Sequence, residues 1–388
     1  MVATITLLVS LFICAPVYAQ IKVGVLYSTT GTFAGFGKPA QRGAMLAFEH
    51  ANAAGGIKWQ RIETIAYDAE SNAEQASRQA KKLMLRDKVV TLIGPEVWRV
   101  ASLMYALAVE HKIPIISDIS SPDAYPTEQL AWTFNNAGGA DTNLQATMHY
   151  FSSLGVKKVA FFGTADPLGE KLVRDIRQLG SKLGIMLVGV QMAPVTSTDV
   201  TPQMAVLKEN KPDALIVLGS GPFGNMAMNN AFQVGMDIPT NFIGANIIPA
   251  YMEGLGAGAG KNMRASFHKA AVYYDLDEKD AARPSITAFA NAYKAKYGEE
   301  INWASGCGYD GGRMIIDALA AAGPDPQGIK KYLDGLKNWY APGTGRHMTM
   351  LLPQYHYVQH DIKDLVVVKW DAGEKRFRRV AYVRDILK

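Results

Sequence analysis

Two short stretches of this chain hold side chains that could grip a small anion. Ser117-Asp118-Ile119-Ser120-Ser121-Pro122 follows the apolar pair Ile115-Ile116 and offers small hydroxyls and backbone N–H groups suited to an oxyanion. Gly94-Pro95-Glu96-Val97-Trp98-Arg99 sets an indole beside a guanidinium. The indole can stack on a flat molecule, and the guanidinium can pair with a carboxylate in bidentate fashion. A bland reading stands beside each. A Ser-rich run before Pro is often a plain turn, Trp98 would serve as packing, and Arg99 as a solvated charge. Aromatic residues recur in comparable places: Phe33 and Phe36 in the loop Gly31 to Gly37, Phe223 after Gly219-Ser220-Gly221-Pro222, the pair Tyr273-Tyr274, and Tyr309. Each alone reads as core. Together on strand-end loops they fit a cleft for a flat or hydrophobic ligand.

Catalytic signatures are not found. The Gly31 to Gly37 loop lacks G-x-G-x-x-G spacing, and no phosphate-binding G-x-x-x-x-G-K-S/T run occurs. His347, His356 and His360 lie near one another on a β-type tail without metal-ligand spacing, so a solvated strand face is expected rather than a metal site. No Ser-His-Asp set can be nominated. The expectation is a binding protein without catalytic residues, metal or cofactor.

The elements that must position these residues follow from length and periodicity. The chain has 388 residues, 48% apolar and 19% charged, with a formal net charge of +5. That is material for two globular lobes. Its Lys and Arg are dispersed, which argues against a nucleic-acid face. Residues 1–19 form an apolar run ending Val17-Tyr18-Ala19, read as a secretory signal although no Lys or Arg precedes it. Cys14 falls inside that signal. Cys307 is then a lone thiol, unable to form an internal disulfide.

From Ile21 onward, strand-like and helix-like stretches alternate, first to about Ile116 and again from about Thr142 to Ile243. Such alternation gives parallel sheets with right-handed crossovers. Long helices are expected over Ala281 to Tyr297 and Trp303 to Ala322, then β-type segments over Arg346 to Leu352, Tyr355 to His360 and Leu365 to Trp370.

The order of the motifs resembles the Leu/Ile/Val-type periplasmic solute-binding proteins of ABC transporters. The opening Ile21 to Ile57 carries the resemblance, with Tyr67-Asp68-Ala69-Glu70-Ser71-Asn72, Leu92-Ile93-Gly94-Pro95, Lys112-Ile113-Pro114-Ile115-Ile116-Ser117, Gln233-Val234-Gly235-Met236 and Gly308-Tyr309-Asp310. It implies an α/β fold of two doubly wound parallel-sheet lobes joined by a three-segment hinge. Mapped here, lobe 1 takes 21–137 plus 269–338, and lobe 2 takes 138–268 plus 339–388. The resemblance further implies a periplasmic monomer that closes on a small molecule and delivers it to ABC permease subunits.

Amino-acid-binding relatives usually place a Ser after Gly-Pro, an aromatic residue after the first strand of lobe 2, and an acid near that lobe's fourth strand. Here those positions read Trp98, Leu168 and Asn246. Burying a ligand ammonium without a carboxylate partner is costly. The resemblance therefore implies a carboxylate with an apolar or aromatic body, such as a benzoate or phenylpropanoid. Ser120 and Ser121 would grip its acid group, with Phe36, Trp98, Arg99, Leu168, Phe223, Asn246, Tyr273 and Tyr309 around it. The alternatives are a branched-chain amino acid, or a ligand-sensing module on the same fold.

Overall fold

The computed structural model describes residues 20–119, 130–244, 247–351 and 357–387. Five strands open the chain: β1 (Ile21–Tyr27), β2 (Ile62–Asp68), β3 (Thr91–Ile93), β4 (Ile115–Ser117) and β5 (Thr133–Asn135). All pair in parallel, in the order β2-β1-β3-β4-β5. A central strand of such a sheet meets helices on both faces and needs apolar side chains on both. Six of the seven residues of β1 are buried accordingly.

The second series repeats the arrangement. β6 (Lys158–Thr164), β7 (Met186–Ala193), β8 (Ala214–Leu218), β9 (Thr240–Ile243) and β10 (Met263–His268) run parallel in the order β7-β6-β8-β9-β10. Both halves thus share one strand order, although no residue-level repeat marks it.

The C-terminal strands divide between the sheets, which corrects the expected boundary of the second lobe. β11 (Trp339–Ala341), β12 (Arg346–Leu351) and β13 (Tyr357–His360) extend the first sheet, because β13 pairs in parallel with β5. Only β14 (Leu365–Asp371) and β15 (Arg376–Tyr382) join the second, through the antiparallel pairing of β14 with β10. The tail reads as one β-type unit in sequence. The break falls at the short helical turn Ile362–Asp364, capped by the Asp361 side chain on Lys363 N at 2.9 Å.

The chain therefore crosses between sheets three times: after β5, after β10 and after β13. The helix Trp303–Ala322 returns to the first half and packs along the helix Ala34–Ala53. Glycines let the two backbones touch: a Cβ at Gly308 would lie 1.9 Å from Ala40 O, and one at Gly43 2.0 Å from Ser305 O. No helix among the described residues is long and apolar enough to cross a membrane.

Candidate ligand-binding cleft

In each sheet the strand order reverses at one point, between β1 and β3 and between β6 and β8. Loops leaving neighbouring strands there turn to opposite faces and open a crevice at the carboxyl ends. The two crevices face each other across one cavity of about 900 Å3, its open mouth included. The first half contributes Glu96, Val97 and Arg99 after β3, and Asp118 and Ile119 after β4. The second contributes Thr164, Asp166 and Leu168 at the end of β6, Gly219 and Ser220 after β8, and Ile243 and Gly244 at β9. Phe33, Phe36 and Trp303 give the cavity an aromatic side, and Val195 adds to its apolar wall.

Local chemistry fixes these loops. Asp68 collects the chain after β1: its carboxylate accepts from Thr29 N at 2.9 Å, Thr30 Oγ1 at 2.7 Å and Glu70 N at 2.8 Å. Gly94 has φ +100°, and a Cβ there would stand 2.0 Å from Leu26 O. Its N–H donates to Ile116 O at 2.7 Å, while Asp118 N donates to Pro95 O at 3.1 Å. The loops after β3 and β4 are thereby tied together, and Glu96 and Asp118 are brought to one wall.

That wall is acidic and dry. Glu96 is 3% exposed and Asp118 2%. Glu96 Oε2 accepts from Ser28 N at 3.1 Å, and Asp118 Oδ2 from Tyr27 OH at 2.7 Å. The other oxygens, Glu96 Oε1 and Asp118 Oδ1, are buried and have no partner among the described residues. Burial pushes the Glu96 carboxyl up to about 7, against the pull of its bonds from Ser28. Burial likewise pushes Asp118 up to about 7; the Tyr27 bond opposes this and the Glu96 charge adds to it. Asn136, whose amide donates to Cys307 O at 2.9 Å, pulls Asp118 down less than Tyr27 does. Asp68 shows the contrast: burial raises it too, but its hydrogen bonds outweigh burial and hold it below the ordinary carboxylate range.

The residues singled out in the sequence separate into three groups. Phe36, Arg99 and Leu168 line the cavity. Ser120, Ser121 and Asn246 lie outside the described residues, as does the Trp98 side chain, although Trp98 itself begins the short helix Trp98–Ala101. Phe223, Tyr273 and Tyr309 stand elsewhere. Phe223 stacks on Phe162 with centroids 5.8 Å apart, inside the second half's core. Tyr273 faces a separate groove with Tyr274 and donates to Glu300 Oε2 at 2.5 Å. Tyr309 packs on Phe289 at 4.4 Å, and its hydroxyl meets His50 Nδ1 at 3.2 Å. Its helix does border the cleft, but through Trp303 at the first turn. Trp303 packs 4.5 Å from the Phe36 ring and 5.0 Å from Phe267, and its indole Nε1 is buried without a partner among the described residues. Nothing in the sequence marks Trp303, Glu96 or Asp118 as cavity residues beyond their place near strand and helix ends.

Beneath the cleft, the three crossings share one buried cation. Arg346 is 0% exposed. Its Nη2 donates to Asn136 O at 3.2 Å and its Nη1 to Ala137 O at 2.9 Å, both in the first crossing. Nη1 also meets His268 Nε2 at 2.7 Å, at the second, and His360 Nε2 at 3.0 Å, at the third. Nε donates to Thr344 Oγ1 at 2.8 Å, which in turn donates to Asp310 Oδ2 at 2.5 Å. A guanidinium can only donate, so both imidazoles present a bare Nε2. Burial and then the Arg346 charge hold both far below the ordinary histidine range. His360 is therefore a buried acceptor, not the solvated strand residue expected from its neighbours. His347 pairs with Asp364 at 3.0 Å, and His356 lies outside the described residues.

Comparison with known proteins agrees with this architecture. The profile of a periplasmic binding protein family matches residues 20–375. A Leu/Ile/Val-binding protein homolog 7 from Brucella melitensis is 24% identical over 344 residues, 83% of this chain and 82% of that protein. An extracellular ligand-binding receptor from Rhodopseudomonas palustris superposes with a TM-score of 0.80 at 21% identity, over 93% of this chain and all of that one. A solute-binding protein of an ABC transporter from R. palustris, solved with benzoate, gives a TM-score of 0.72 at 19% identity, over 94% of this chain and 96% of that one. At these identities the structural likenesses are of fold.

Proposed function

Because this chain belongs to the periplasmic binding protein family, we propose that it is the extracytoplasmic receptor of an ABC importer, capturing a small solute with a flat, apolar or aromatic body between its two halves. One observation carries the reading. The cavity between the sheets is walled by Phe33, Phe36 and Trp303 on one side and by Leu168 and Val195 on the other. A flat body between such walls exchanges water for apolar contact on both faces. Lobes that both touch one solute gain affinity only in the closed arrangement, so binding shifts the population toward closure. The permease of an importer can then distinguish loaded from empty receptor.

Likeness to a benzoate-bound solute-binding protein supports an aromatic solute, while the Brucella relative is named for branched-chain amino acids. Titration calorimetry with aromatic solutes and with leucine, isoleucine and valine separates these. Binding of an aromatic solute is expected, weakened by Leu168→Ala on the far wall. Tight leucine binding with no aromatic binding would overturn the aromatic reading and leave a branched-chain receptor.

A further inference from the structure

We propose that Glu96 and Asp118 form the polar subsite of this cleft, and that they select a solute whose head group is a basic nitrogen rather than a carboxylate. The inference rests on the reading of the cavity as the binding site. The observation behind it is geometric: two nearly fully buried carboxyls line the same cavity, and each keeps one oxygen without a partner among the described residues. A buried acceptor left without a donor is costly, and native structures seldom keep two at one wall without a use for them. An amine or amidine supplies both what is lacking: N–H donors for Glu96 Oε1 and Asp118 Oδ1, and a positive charge. Between these two carboxyls an anionic head is accommodated only while both keep their protons.

The surroundings fit a cation. Tyr27 donates to Asp118 and is held protonated by burial. Asp68 and Tyr251 lie near Glu96, Arg346 acts on Asp118 from beneath, the Asp118 charge in turn helps to raise the Cys307 thiol, and Arg99 and Asp166 line the same cavity. The lone positive group close to Asp118 in this set, Arg346, is committed to the crossings. Both carboxyls hold protons up to about pH 7 in the empty cleft. A bound cation favours their ionised form, so it must expel protons. A bound carboxylate would require proton uptake. The sign of the proton flux therefore reports the charge of the head group.

The test uses purified protein titrated near pH 7 with phenethylamine, benzamidine and benzoate, in two buffers of different ionisation enthalpy. Expected is binding of at least one of the two cations, net proton release, and benzoate weaker by tenfold or more. Glu96→Gln and Asp118→Asn should each weaken cation binding on the order of 30-fold or more, the usual effect of removing one partner of a buried charge pair. Both substitutions keep the side-chain shape and put a neutral amide where burial already disfavours the ionised carboxyl, so melting temperatures should not fall. Tighter benzoate binding with proton uptake, or cation binding untouched by both substitutions, overturns the inference while leaving the aromatic cleft intact. Failure of all three compounds overturns the inference and the aromatic reading together.

Discussion

Arg346→Met should destabilise the protein by about 3–5 kcal/mol, the range for breaking a buried charge cluster from one side. The figure can be built from contacts. The substitution leaves Asn136 O, Ala137 O, Thr344 Oγ1 and the two Nε2 atoms of His268 and His360 buried without this donor. Each abandoned acceptor costs about 1–3 kcal/mol. Two of the five can be partly relieved, because an imidazole that loses its donor can turn its other tautomer inward, and the Thr344 hydroxyl keeps its bond to Asp310. Met also fills most of the volume and spares the desolvation of a guanidinium, which returns part of the loss. At roughly 2–4 °C per kcal/mol, the conversion for domains of about the size of each half of this chain, the melting point should fall by about 6–20 °C. Circular dichroism melts at pH 7.5 measure it. The double variant Arg346→Met/His268→Leu should recover part of the loss, since it deletes one of the abandoned acceptors along with its donor. A fall of less than about 2 °C for the single variant, by the same conversion, would refute the claim that the three crossings depend on this residue.

Further outcomes follow from the cleft. Glu96 and Asp118 are raised by burial to about 7, so the folded state keeps protons that the unfolded chain has already released. Stability from these groups is present at low pH and is lost as pH rises through 7; between pH 6 and 8 their joint contribution should fall by about 3 kcal/mol. Denaturant titrations at those two pH values on the wild-type protein and on Glu96→Gln/Asp118→Asn check this, the difference between their two slopes being the contribution of this pair. His268 and His360, held well below the ordinary histidine value of about 6.5, act in the opposite direction as pH falls toward 6, but they are present in both proteins and cancel in that difference. Gly94→Ala forces a Cβ against Leu26 O at positive φ and should cost about 2 kcal/mol or more, read as a lower urea midpoint. Tyr309→Phe removes one hydroxyl contact with His50 outside the cleft. It should cost no more than about 1 kcal/mol and leave solute affinity unchanged; a large loss of affinity would return Tyr309 to the site.

What was legible in the sequence is what local patterning controls. Apolar runs such as Ile21 to Tyr27 and Ala214 to Leu218 gave strands where expected, and Trp303–Ala322 is a helix over the residues its periodicity marks. Strands with weaker signals escaped. Thr133–Asn135 is three residues long, and Met263–His268 carries Arg264, Ser266 and His268 between its apolar residues. The assignment of β11, β12 and β13 to the first sheet is decided by one parallel pairing, Tyr357 with Asn135, which leaves no local trace. The site divides in the same way. Its location at strand ends follows from topology, and so Phe36, Arg99 and Leu168 could be found. Which residues turn inward at those ends does not. Glu96 sits in the same loop as Arg99, and the turn that brings its carboxyl to the cavity leaves no mark in the residue types.

The cleft and the crossings are built on the same residues. Asn136 donates its side chain to Cys307 O and lends its own carbonyl to Arg346, and it lies close enough to Asp118 to ease that carboxyl. The Arg346 charge is also felt at Asp118, where it favours ionisation. Rings continue the connection: Phe36 and Trp303 wall the cavity, Phe267 packs on Trp303 at 5.0 Å, and His268 on Phe267 at 4.6 Å. A charge placed at the acidic wall therefore acts within one buried network that includes all three crossings, in a low-dielectric setting where such effects are weakly screened. A receptor that must report occupancy by its shape needs such a network, since a solute biases closure only through groups that differ between the two arrangements.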